Sequence, residues 1–203
     1  MENIYRSPDE AYPFLADEPQ DLRCDFELLT DELASLTGLL AAKVEEPALK
    51  EELLWLDEMI YHANPTLRTS FSIKPEEVKA LRERTKLLMR ESAGTVNRFV
   101  LPQGCETAAL AHVLRVKSKE LVRLLYRHIY QGHETPEELI DFCNLMSGYF
   151  FGLALKLNRS ARVEEKDFVS RNYSVVNFIE ASRIICLGKR KNNSVPGPPS
   201  KAE

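Results

Sequence analysis

Four cations recur four residues apart in one stretch of the chain: Arg115, Lys119, Arg123 and Arg127. On a helix, side chains at i and i+4 share a face, so the row forms one cationic edge. Guanidinium and ammonium groups in a row suit phosphate oxygens, and a polyphosphate is the natural guest. The same row also fits the solvated outer face of a bundle helix. Like charges at this spacing repel, and Glu120 is at hand to compensate them. Just upstream, the loop from Phe99 to Gly104 is apolar for an exposed linker. Phe99 is read either as an aromatic wall for a flat ligand or as packing at the bundle end. Downstream, Asn144 and Ser147 flank an apolar stripe and are expected to hydrogen-bond across the bundle.

Other chemistries lack their signatures. GxxxxGK[ST], GxGxxG and GxSxG are absent, which removes the common phosphate cradles and the nucleophile elbow. His62, His112, His128 and His133 show neither HxxxH nor HExxH spacing, so no metal site is expected. Cys24, Cys105, Cys143 and Cys186 form no CxxC pair and read as reduced, intracellular thiols. No spacing identifies a catalytic group.

The elements that must position these residues are helical. Phe26, Leu29, Leu33, Leu36 and Leu40 recur at three- and four-residue steps and stop near Pro47. Pro47 opens a second helix that Asn64-Pro65 ends. Pro75, with Glu76 and Glu77 behind it, opens a third, for which Gly94 is the expected stop. The cation row lies on a fourth helix, from about Glu106 to Tyr130, in which Lys117 and Ser118 interrupt the apolar stripe. A fifth is predicted to open with Thr135 as N-cap, Pro136 at N1 and Glu138 completing a capping box. The organisation is an extended, Pro- and acid-rich arm over 1–20, an all-α five-helix up-and-down bundle over 21–160, a C-terminal extension over 161–188 and a disordered tail over 189–203; in the extension the apolar stretch Phe168 to Leu187 fits a strand or a helix, and a helix is the expectation.

Composition sets further bounds. The chain has 203 residues and a net charge of −4, too acidic for a generally basic nucleic-acid binder. Only 8 residues are glycine, which argues against a Gly-rich nucleotide fold. No apolar run reaches membrane-spanning length, and the N-terminus lacks a signal-peptide pattern, so a cytoplasmic location is expected.

Several segments together resemble the PduO-type ATP:cob(I)alamin adenosyltransferases. The family's FVLPGG stands here as Phe99-Val100-Leu101-Pro102-Gln103-Gly104. Its His-x-x-Arg follows as His112-Val113-Leu114-Arg115, and its Asn-Arg-Leu-Ser-Asp as Asn144-Leu145-Met146-Ser147-Gly148. Thr30-Asp31-Glu32-Leu33-Ala34 is similar to the family's Val-Asp-Glu-Leu-Asn. The resemblance implies a cobalamin adenosyltransferase-like bundle that assembles as a homotrimer and binds ATP with magnesium and cobalamin. In the implied reaction Co(I) attacks the ribose 5′ carbon and triphosphate leaves. It implies phosphate-binding roles for the row Arg115 to Arg127 and corrinoid-binding roles for Phe99 and Asn144.

The departures fall on the ATP half. The family's Thr-x-Thr-Gly-Asp-x-Gly loop is matched by Arg6-Ser7-Pro8-Asp9-Glu10, without either glycine. In the family's Arg-Arg-x-Glu-Arg, Lys119, Glu120 and Val122 are changed and Arg123 is kept. Three readings stay open: a divergent adenosyltransferase, a non-catalytic corrinoid or small-ligand binder, and a structural interaction protein on the same bundle.

Overall fold

The computed structural model describes residues 4–96 and 99–171. Within them lie α1 (Leu22–Lys43), α2 (Pro47–Ala63), a 3-10 turn (Asn64–Leu67), α3 (Pro75–Glu91), the single turn α4 (Ala93–Val96), α5 (Glu106–Tyr130) and α6 (Glu137–Ser160). The all-α five-helix reading holds. Asp21 caps α1 by accepting the Arg23 N–H. Pro47 and Pro75 open α2 and α3, as first-turn prolines should. The Glu77 carboxylate accepts the Lys74 N–H at 2.8 Å.

Two expected boundaries differ. Gly94 does not end the third helix: α3 stops at Glu91, and Gly94 sits inside α4. The capping box at Thr135 does not form. Pro136 is the N-cap, and the Thr135 hydroxyl is within 3.0 Å of Nδ1 of the buried His128 instead. A tertiary partner has taken the oxygen that local spacing assigned to the helix end.

α6 is the central element, packing against α5 on one side and α3 on another, while α1 joins α2 to α5. Its Phe142, Tyr149 and Phe150 are fully buried among Phe26, Leu33, Leu53 and Leu56. The Tyr149 hydroxyl donates to Glu52 at 2.7 Å, which satisfies the one polar atom of a buried ring. α3 approaches α6 where Gly152 has no side chain: a Cβ there would stand 2.7 Å from Leu88 Cβ. Gly148, one turn earlier, faces Thr85 with more room, at 3.4 Å.

The described residues of the N-terminal arm, 4–20, have no helix or strand and run as a series of turns. It is pinned by Arg68, whose Nε lies 2.6 Å from Glu27 and whose terminal nitrogen lies 2.7 Å from Asp17. The guanidinium also covers the Phe14 ring at 3.7 Å. Burial, reinforced by Glu27, pushes the Tyr12 phenol up to about 12.

After α6 the chain turns back and pairs with the loop before α5. Val100 and Asp167 form an antiparallel bridge, with Leu101 N–H donating to Lys166 and Phe168 N–H donating to Phe99, both at 2.8 Å. The C-terminal extension therefore begins as an extended strap where a helix was expected. The rest of that expected helix and the tail lie outside the described residues.

Gly152→Ala should lower stability by about 1–3 kcal/mol, because the methyl must displace a packed leucine. Gly148→Ala should cost clearly less. Urea denaturation of both variants checks the difference, and equal losses would contradict the close approach at Gly152.

Candidate functional site

The cation row lies where α5 runs beside α6, and its members differ in environment. Arg115 is half-buried; its Nε has no hydrogen-bond partner, and burial lowers its pKa. Its guanidinium sits 6.0 Å from the centroid of the Phe151 ring on α6. His112, one turn earlier, is 4% exposed, and neither ring nitrogen has a partner. Its ring lies 6.3 Å from Phe151. Burial, aided by the Arg115 charge, brings its pKa down to about 4, so it is neutral near pH 7. Lys119 is exposed at the residue level, yet partial burial of its amine and the neighbouring Arg115 lower its pKa.

Arg123 and Arg127 stand on the exposed outer face. Arg127 is three turns beyond Arg115, about 18 Å along the axis. The expected compensation by Glu120 does not occur. Glu120 pairs with Lys117 at 3.2 Å, and Lys117 also reaches Glu32 on α1 at 2.8 Å. Among the described residues no carboxylate forms an ion pair with Arg115, Lys119, Arg123 or Arg127. The break at Lys117 and Ser118 is thereby explained: Lys117 ties α5 to α1, and the buried Ser118 hydroxyl returns to Leu114 O at 2.9 Å.

Asn144 does not bond across the bundle as expected. It is exposed, and its amide donates to Ile140 O of its own helix at 2.9 Å. Ser147 is buried on the same helix. Phe99 is half-buried, its carbonyl held by the strap. His112 and Phe151 were not singled out as site residues. The His-x-x-Arg spacing is the signal for the first. Nothing in the sequence separates Phe151 from the core aromatic Phe150 beside it.

Two clefts, of about 620 and 690 Å³, lie at other places: one is lined by Arg23, His128 and His133, the other by Ser92, Arg159 and Glu165. The cation row lines neither cleft. Among the described residues no group of His, Cys, Asp or Glu could hold a metal, and no helix is long and apolar enough to cross a membrane. Cys143 is buried, which pushes its thiol up to about 12 and makes it inert.

The depressed His112 pKa has a stability consequence. The unfolded chain takes up this proton below pH about 6.5 and the folded chain only near 4, so stability falls as pH drops through that window. His112 should account for a loss of about 2 kcal/mol between pH 8 and pH 5. In His112→Leu that part of the pH dependence should vanish when denaturation is measured at both values. An unchanged pH slope would show that His112 titrates normally.

Comparison with known proteins agrees with this architecture. The solved structure of a variant PduO-type ATP:corrinoid adenosyltransferase from Lactobacillus reuteri, complexed with cobalamin and ATP, superposes with a TM-score of 0.65 at 20% identity, covering 81% of this chain and 98% of that one. A second variant of that enzyme, complexed with ATP, gives 0.63 at 24% identity over 74% of this chain and 88% of that one. The corrinoid adenosyltransferase of Bacillus subtilis (strain 168) is 25% identical over 147 residues, 68% of this chain and 75% of its own length. The profile of the cobalamin adenosyltransferase family matches residues 20–157, more than half the chain and all five long helices but for the end of the last. With that match, the chain belongs to the cobalamin adenosyltransferase family.

Proposed function

We propose that the face of α5 around Arg115 binds the triphosphate of ATP, with magnesium, through Arg115 and Lys119, with Arg123 at its outer edge. Cobalamin packs against Phe99, and Asn144 borders the corrinoid. The reaction is transfer of the 5′-adenosyl group to cobalt: the carbon–oxygen bond to the phosphates breaks, a cobalt–carbon bond forms, and triphosphate leaves. The protein's part is to position the two substrates and hold the departing negative charge.

The observation that carries this reading is the uncompensated Arg115. A half-buried guanidinium without a carboxylate partner costs stability unless an anion completes it. The neutral His112 beside it, with both nitrogens unpartnered, adds a hydrogen-bonding group to the same place. The outer face of α5 also exposes Val113, Val116 and Tyr126, each above 40%. That supports a homotrimer in which a neighbouring subunit covers this face of α5.

One observation favours a second reading, corrinoid binding without transfer. The arm that matches the family's phosphate-wrapping loop carries Asp9 and Glu10, and its Arg6 is engaged internally, with Glu10 at 3.5 Å and Pro13 O at 2.7 Å. An arm so arranged offers phosphate little.

Titration calorimetry with MgATP, and separately with cob(II)alamin, tests both readings. The expected result is saturable ATP binding that Arg115→Ala weakens by about 1.5–3 kcal/mol, as for a lost charged hydrogen bond. Identical affinities for the variant and the parent would remove Arg115 from the site. Corrinoid binding with no response to ATP would establish the second reading.

A further inference from the structure

The loop that carries Phe99 is anchored at one side chain, Asn158, near the end of α6. Asn158 is 0% exposed. Its amide nitrogen donates to Gln103 O at 3.0 Å and to Glu165 Oε1 at 2.9 Å, and its oxygen accepts the Cys105 N–H at 3.0 Å. One buried amide thus grips three partners: the loop before α5, the N-cap residue of α5 and the strap after α6. Gly104 lies directly against it. Its φ of +143° favours glycine, and a Cβ at that position would coincide with the Asn158 amide. The strap closes the other side, through Lys166 and Phe168 on Leu101 and Phe99. Gln103 adds a bond of its own, from its side-chain nitrogen to Glu164 O at 3.1 Å.

We infer that Asn158 is a positioning residue: its amide holds the loop from Phe99 to Gly104 against the strap, and so sets where the Phe99 ring stands. The family resemblance ascribes nothing to this position. The part that concerns corrinoid rests on the proposed function; the part that concerns the loop does not. Asn158 is specified by its hydrogen bonds, because a side chain that only filled space would need neither the donor pair nor the acceptor. Leucine has the same branched heavy-atom shape, with bulkier tips, and removes all three bonds.

Two measurements on the full chain decide it. In Asn158→Leu, hydrogen exchange should speed up by about tenfold or more at amides 101, 103, 105 and 168, since unpartnered backbone groups open the loop. Core amides of α5 and α6 should keep their protection. Gly104→Ala, which forces the same contact from the other side, should give the same local pattern and guards against a variant that simply fails to fold. Unchanged loop exchange in both variants overturns the inference, and so does a loss of protection spread evenly over the bundle. Cob(II)alamin affinity is the second measurement. Asn158→Leu and Phe99→Ala should each weaken it, and the double variant should be no weaker than Phe99→Ala alone. Additive losses mean that Asn158 acts apart from Phe99 and overturn the positioning role. If the parent chain does not bind cob(II)alamin, the proposed function fails, and exchange alone decides on the clasp.

Discussion

Burial of α6 on several sides is the constraint the rest of the molecule answers to. A helix enclosed this way must be apolar around most of its girth, small where another helix comes close, and provided with an outlet for every polar atom it encloses. Phe142, Phe150 and Leu153 meet the first demand and Gly152 the second. Tyr149 and Asn158 meet the third, one through Glu52 and the other through the Phe99 loop and its strap. The polar outlet near the end of α6 is thus also the device that shapes the loop beside the site.

The same economy is missing on α5, and the contrast is informative. Elsewhere the partly buried cations of the described residues are balanced: Arg68 by Glu27 and Asp17, Lys117 by Glu32 and Glu120. Arg115 alone combines burial with an unpartnered nitrogen, and it does so beside an imidazole that burial keeps neutral. Among the partly buried cations of the described residues, Arg115 is the exception.

The arm shows how a family scaffold is turned to a different local end. Arg68, clamped over Phe14 and between two carboxylates, ties the arm at Phe14 and Asp17 to the bundle. Within the arm the Glu10 carboxylate pairs with Arg6.

Much of the fold was legible in the sequence because its determinants are local. Prolines at Pro47 and Pro75 and leucines at helical spacing act through steric and periodic rules that need no partner. The cation row and the loop around Phe99 were likewise visible as spacing and as motif. What local rules could not decide was the partner of each polar atom. Thr135 went to His128 instead of capping a helix, Glu120 to Lys117 instead of the cations, and Asn144 to its own backbone. Asn158, unremarkable in sequence, became the anchor of a loop fifty residues away. Hydrogen bonds and ion pairs between distant segments depend on where packing brings them, and only the tertiary structure determines that.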